Sequence, residues 1–119
     1  MNVLIVEDSL TTSMTLEVFV SACGHQPVCV FNGWLDFDSA SQWNIDFVLL
    51  DIMLPGTDGY EVAARMREHG LRAPIIAVTS LEDDLARREK CGIDGYLAKP
   101  VTLENLRSAL NEFQLAENA

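Results

Sequence analysis

The chain has 119 residues, of which 49% are hydrophobic, so we expect one domain with a core of its own. Eight basic residues stand against 18 acidic ones, and the net charge of −10 argues against direct binding to nucleic acid or to an anionic membrane surface. No apolar run approaches the roughly 20 residues of a membrane span, and no secretion signal opens the chain, so we expect a cytoplasmic protein. The three cysteines show no C-x-x-C spacing and are expected to be reduced.

Short apolar runs alternate with segments of helical spacing along the whole chain. The five runs expected to be strands are Asn2 to Val6, Gln26 to Phe31, Phe47 to Leu50, Pro74 to Val78 and Asp94 to Ala98. The expected helices are Leu10 to about Cys23, Trp34 to about Gln42, Gly59 to Arg67, Leu81 to Lys90, and a last helix with an apolar stripe at Leu103, Leu106, Leu110 and Phe113. This alternation through short links predicts an α/β fold, in which helices cover both faces of a parallel sheet.

The third run, Phe47 to Leu50, is too short for a helix and fits a strand that is buried on both faces. It ends at Asp51, and Pro55, Gly56 and Gly59 break regular structure soon afterwards. Ligands bind at this edge of open parallel sheets, so Asp51 is a candidate reactive group. The alternative interpretation is that Asp51 is a solvated aspartate or the cap of a turn.

Polar groups of a particular kind follow four of the five expected strands. They are Glu7 and Asp8, Asp51, Thr79 with Ser80, and Lys99. Because the carboxyl ends of parallel strands share one edge of a sheet, three carboxylates, a hydroxyl and an ammonium are expected to converge there.

Crowded carboxylates repel one another, and Mg²⁺ is a suitable counter-charge because it binds carboxylates together with phosphate oxygens. A nearby Lys99 suits a phosphate, and Thr79 can donate its hydroxyl to a phosphoryl oxygen. The set fits phosphoryl transfer to the carboxylate of Asp51, with Lys99 and Thr79 assisting. Each residue also has an ordinary interpretation: the acids after the first strand favour a helix N-terminus, Lys99 is a surface lysine, and Thr79 or Ser80 caps a helix.

The chain resembles the receiver domain of bacterial two-component response regulators, the family of the chemotaxis regulator. Four motifs carry the resemblance, which covers essentially all 119 residues: Val6-Glu7-Asp8, Asp51 to Gly59, Val78-Thr79-Ser80 and Tyr96 to Pro100. It implies a flavodoxin-like (βα)5 fold with strand order 2-1-3-4-5 and a single receiver domain at 1–119. It also implies a phosphorelay signalling protein rather than an enzyme.

The resemblance further implies a role for each matched residue. Asp51 would accept a phosphoryl group from a phosphohistidine of a sensor histidine kinase or a histidine phosphotransfer protein. Thr79 and Tyr96 would form the switch, and the Lys99-Pro100 bond would be cis. Mg²⁺ would be held by Glu7, Asp8, Asp51 and the main-chain carbonyl of Met53.

Two surfaces are candidates for partner proteins. The first helix has a second apolar stripe, a docking site for the phosphodonor or a dimer mate, at Leu10, Met14 and Val18. The expected fourth helix, fifth strand and fifth helix would present the switched face to a downstream protein. Basic residues of that fourth helix, with i, i+4 pairs of Asp83 with Arg87 and Asp84 with Arg88, could serve a partner or a homodimer.

Three other functions fit the same architecture less well. An aspartyl-nucleophile phosphatase would need a second acid where Met53 stands. A flavin or nucleotide binder would need a phosphate-binding loop after the first strand, and the sequence has none there. A receiver that no longer accepts phosphate would not need the set of Asp51, Lys99 and Thr79.

Overall fold

A computed structural model describes residues 1–32 and 44–118, and side chains are described up to residue 113. The helix expected from Trp34 to about Gln42 lies outside the described residues. No helix in the described ranges is both long and apolar enough to cross a membrane. The three cysteines are free thiols, each partly buried.

Five parallel strands form the central sheet: β1 (Asn2–Val6), β2 (Gln26–Val30), β3 (Phe47–Asp51), β4 (Ile75–Thr79) and β5 (Gly95–Ala98). Their spatial order in the sheet is β2-β1-β3-β4-β5. The predicted strand order and α/β class are therefore confirmed. Every residue of β3 and β4 is buried, as continuous apolar runs in the middle of a covered sheet should be.

Helices cover both faces of the sheet, and alternate strand residues supply two separate cores. The helices are α1 (Leu10–Ala22), α2 (Gly59–Glu68), α3 (Leu85–Lys90) and α4 (Leu103–Asn118). Val3 and Ile5 of β1 pack in the core that contains Leu16 of α1 and Leu106 of α4. Leu4 and Val6 lie in the opposite core, which contains Val62 and Met66 of α2. Successive strand side chains point to opposite faces, and this period of two builds the doubly wound arrangement.

Side chains cap the helices where the sequence places short polar residues. The Ser9 hydroxyl accepts the Thr12 N–H at the start of α1, and the Thr102 hydroxyl accepts the Asn105 N–H at the start of α4. Serine and threonine are preferred at this position because their short hydroxyl side chains reach the free N–H groups of the first turn. The Ser9 cap fixes the start of α1 directly after Glu7 and Asp8.

The helix expected from Leu81 begins four residues later, at Leu85, and Asp84 is its N-cap. The Asp84 carboxylate accepts the Arg87 N–H, and the Thr79 hydroxyl accepts the Leu81 N–H. The Asp84 side chain thus satisfies an N–H that would have bonded to a carbonyl in a helix beginning at Leu81, and the Thr79 hydroxyl satisfies an N–H of the segment that precedes α3. Neither Thr79 nor Ser80 caps this helix.

The later start of α3 also changes its ion pairs, and the predicted i, i+4 pairs are wrong. Arg88 binds Asp83 through two contacts of 2.7 and 3.0 Å. Arg87 instead reaches Asp58, the N-cap of α2. No residue of α3 is buried, so few contacts determine where this helix lies.

Candidate functional site

Four of the candidate residues meet at the carboxyl edge of the sheet. One ligand oxygen from each of Glu7, Asp8 and Asp51 lies within 4.8 Å of the others. Lys99 Nζ lies 2.8 Å from Glu7 Oε2 and 3.2 Å from Asp51 Oδ2. The sheet order explains the meeting. The strands β1 and β3 are neighbours, and β5 lies two positions beyond β3, within reach of a lysine side chain.

Two of the three carboxylates are buried: Glu7 is 1% exposed and Asp51 is 3% exposed, whereas Asp8 is open to solvent. Glu7 Oε1 accepts the Ser9 N–H. Glu7 Oε2 has Lys99 at ion-pair distance, yet it accepts no hydrogen bond of good geometry within the described part of the chain. The Lys99 ammonium is shared between Glu7 and Asp51, so this buried oxygen keeps capacity for a second cation and is a suitable metal ligand.

The balance of burial and neighbouring charges raises the pKa values of both Glu7 and Lys99. Burial is the largest effect on Glu7 and raises its pKa; the negative charge of Asp51 adds to this, while Lys99 and the Ser9 N–H oppose it. Burial alone would lower the pKa of Lys99, but the contacts with Glu7 and Asp51 outweigh it and raise that pKa. Lys99 therefore remains a cation that partly balances the acids around it.

The backbone after β3 is folded tightly around Asp51. Asp51 Oδ1 accepts the Met53 N–H at 3.0 Å, and a small hairpin follows in which Met53–Leu54 pair with Thr57–Asp58. Gly59 then returns its N–H to the Ile52 carbonyl. A Cβ at Gly59 would lie only 2.4 Å from the Asp51 carbonyl oxygen, so this close return requires glycine.

Thr79 and Tyr96 both bind Leu81, in the segment between β4 and α3. Thr79 is 2% exposed and its hydroxyl accepts the Leu81 N–H at 3.1 Å. The Tyr96 hydroxyl donates to the Leu81 carbonyl at 2.7 Å. The two predicted switch residues thus bind the same residue, Thr79 through its N–H and Tyr96 through its carbonyl.

Lys99 is held by the backbone of the neighbouring strand. Its N–H donates to the Thr79 carbonyl at 2.9 Å, and the following bond to Pro100 is cis, as expected.

Sequence reasoning missed the contacts of Arg87. Its guanidinium carbon lies 4.2 Å from the centre of the Tyr60 ring, and Nη2 binds Asp58. Arg87 lines a cleft of about 460 Å³ together with Asp8, Met53 and Leu81. No local spacing predicts this contact, because Asp58 and Arg87 are 29 residues apart.

The second apolar stripe of α1 faces solvent. Leu10 is 62% exposed, Met14 is 56% exposed and Val18 is 64% exposed. A neighbouring groove is lined by hydroxyl residues of α1, by Ser80 and by Lys99 with Pro100. The groove thus joins threonines of α1, which alternate along the chain with the stripe residues, to the site lysine.

The chain is similar over most of its length to parts of longer proteins. It is 33% identical over 112 residues to the sensor histidine kinase RcsC of Escherichia coli K12, covering 92% of this chain and 12% of RcsC. It is 35% identical over 107 residues to the transcriptional regulatory protein CiaR of Streptococcus pneumoniae, covering 88% of this chain and 47% of CiaR. The chain therefore spans less than half of these curated relatives.

A solved structure supports the same relationship. The receiver domain of the sensor histidine kinase PA1611 from Pseudomonas aeruginosa, which has a magnesium ion coordinated in its active site cleft, is 32% identical, with a TM-score of 0.81 over 94% of this chain and 95% of that one. The family model that describes the response regulator receiver domain matches residues 3–111. This chain therefore belongs to the family of response regulator receiver domains, the signalling domains of two-component phosphorelays.

Proposed function

We propose that the chain, as one receiver domain at 1–119, accepts a phosphoryl group on Asp51 from a phosphohistidine in a reaction that depends on Mg²⁺. The observation that carries this proposal is the meeting of Glu7, Asp8 and Asp51 with the Lys99 ammonium at one edge of the sheet. Three carboxylates with a single ammonium leave a negative site that needs another cation. The buried Glu7 Oε2 supports the same conclusion, because the ammonium beside it is shared with Asp51.

The residues that would hold Mg²⁺ are Glu7, Asp8, Asp51 and the main-chain carbonyl of Met53. When bound, the ion would supply positive charge to the phosphoryl oxygens. The magnesium ion in the cleft of the PA1611 receiver domain is consistent with this assignment.

In the transfer, one carboxylate oxygen of Asp51 forms a bond to phosphorus. The phosphorus–nitrogen bond of the donor histidine breaks, and its electron pair returns to the imidazole nitrogen. Lys99 then pairs with a phosphoryl oxygen, for which its raised pKa keeps it charged. A carboxylate nucleophile attacks through an oxygen lone pair and needs no general base.

Thr79 and Tyr96 would transmit the change at Asp51 to the surface. The Thr79 hydroxyl would leave Leu81 to bind the phosphoryl group, and Leu81 is also the residue that Tyr96 holds. Phosphorylation would thereby shift the segment before α3 between two arrangements, and the face of α3, β5 and α4 would carry the signal to a downstream protein or a homodimer.

The phosphohistidine donor would dock beside α1. Leu10, Met14 and Val18 offer an exposed apolar stripe on the same helix whose threonines line a groove with Lys99. The two relatives that are sensor histidine kinases support a donor of this class. A helix of a kinase or histidine phosphotransfer protein would bury this stripe.

Acetyl phosphate with Mg²⁺ tests the proposal without any partner protein. We expect intact mass spectrometry to show one added phosphoryl group on the wild-type chain, none after Asp51→Asn, and none in the presence of a chelator. Asp83→Asn is the matched control, because Asp83 pairs with Arg88 away from the cluster and should leave the labelling unchanged. A phosphoryl group that persists in Asp51→Asn would assign the acceptor elsewhere.

A further inference from the structure

Asp58 is linked to the acceptor by a short chain of contacts. Asp51 Oδ1 accepts the Met53 N–H, and Met53 lies opposite Asp58 in the small hairpin. Asp58 Oδ1 accepts the Tyr60 N–H at 2.8 Å and so also fixes the start of α2. A displacement of Asp58 would therefore also displace Met53, whose main-chain carbonyl is a proposed metal ligand.

Arg87 holds Asp58 from the other side of the cleft. Its Nη2 binds the second carboxylate oxygen of Asp58, and its guanidinium lies over the buried Tyr60 ring. The ion pair and the ring contact act on the same guanidinium, and together they restrict it more than either contact alone. Arg87 thus ties α3, a helix with no buried residue, to the loop that follows the acceptor.

We propose that Arg87 is a positioning residue for the phosphorylation site, which it serves by holding the 53–58 hairpin through Asp58 and Tyr60. This inference rests on the proposed function, since it concerns the same site. The contact joins α3 to the acceptor loop by a route that does not include Thr79, Leu81 or Tyr96. Because linkage is reciprocal, Mg²⁺ binding should in turn steady α3 through this contact.

The affinity for Mg²⁺ distinguishes this role from a simple effect of charge. Removing a positive charge near an acidic site makes its potential more negative, so electrostatics alone predicts tighter binding in Arg87→Met. Loss of the positioning contact predicts the opposite. Mutation of outer-shell partners typically weakens metal affinity about 10- to 100-fold, and Arg87 lies one contact further out, so we expect the Kd to rise about three- to tenfold.

Arg88→Met is the matched control, because it removes the same charge from the next residue of the same helix. Arg88 pairs with Asp83 within its own segment and lines a different cleft. Titration of Mg²⁺ followed by amide chemical shifts should give Arg88→Met an affinity equal to or tighter than that of the wild type. Arg87→Lys, which keeps the charge and can still pair with Asp58, should recover part of the lost affinity.

Hydrogen exchange supplies a second measurement. Mg²⁺ should slow exchange of the α3 amides in the wild type and in Arg88→Met, and should not do so in Arg87→Met. The inference is overturned if Arg87→Met binds Mg²⁺ as tightly as Arg88→Met, or if Mg²⁺ protects α3 equally in both. A wild-type chain that binds no Mg²⁺ would instead contradict the proposed function. A failure of the proposed function can therefore be told apart from a failure of the inference about Arg87.

Discussion

Lys99 is the counter-charge for two carboxylates that are almost completely buried. It lies within ion-pair distance of both Glu7 and Asp51, at 2.8 and 3.2 Å. Buried charges persist only when they are paired, because desolvation favours the neutral form. The residue proposed to bind the phosphoryl group therefore also holds the free site together.

Replacing Lys99 by Met should destabilise the metal-free chain by about 3 kcal/mol, because Glu7 and Asp51 would lose their shared partner while remaining buried. Urea denaturation in the presence of a chelator measures this. Lys90→Met, at the exposed end of α3, is the control and should change the free energy of unfolding by less than about 0.5 kcal/mol. Equal losses in the two variants would mean that Lys99 is not an effective counter-charge.

The convergence of Glu7, Asp51 and Lys99 was predictable because it follows from the alternation of short apolar runs with helical segments along the chain. Glu7, Asp51 and Lys99 each follow a short apolar run, and parallel strands bring such ends to one edge. The partner of Arg87 was not predictable, because it depends on where α3 begins. Asp84 moves that start by satisfying a backbone N–H, and the shift of four residues directs Arg87 to Asp58 on another helix.

Among the elements, α1 combines a buried face with an exposed apolar one. Leu16 and Val20 are buried in the core, whereas Leu10, Met14 and Val18 are more than half exposed. The helical spacing predicted both stripes, because residues three and four apart share a face. The prediction that Leu10, Met14 and Val18 form a stripe apart from the core is confirmed by their exposure.

Replacing Leu10, Met14 and Val18 together by Gln should slow transfer from a phosphohistidine protein that phosphorylates the wild type, by at least about tenfold in kcat/KM. The reason is that a docked helix would lose apolar contact worth about 1.4 kcal/mol or more. Labelling by acetyl phosphate should be unchanged, because a small donor needs no docking helix. Leu85→Gln, at an exposed leucine of α3, is the control. If phosphorylation slows with both donors, the stripe affects the transfer reaction itself. If it slows with neither donor, the phosphohistidine protein docks on another surface.

At the scale of the whole molecule, the two edges of the sheet have different tasks. The carboxyl edge holds the acids and Lys99, while Arg67 ties the opposite edge together. Arg67 donates to the carbonyls of Leu71, Ala73 and Gly92, with distances of 2.8 to 3.0 Å, and pairs with Asp94. Asp94 also accepts the N–H of Ile75, so one arginine connects the end of α2 to the starts of β4 and β5.

Arg67→Met should therefore lower the free energy of unfolding by about 3 kcal/mol, because charge-assisted hydrogen bonds are lost and partly buried carbonyls are left without donors. The exposed Arg72 lies nearby in the chain, and Arg72→Met removes the same charge, so it should change stability by less than about 0.5 kcal/mol. Under conditions where both variants remain folded, acetyl phosphate should label each of them on Asp51 at the wild-type rate, since Arg67 lies at the edge opposite to the acceptor. A slower rate in folded Arg67→Met would show that the two edges are coupled through the sheet, contrary to this division of tasks.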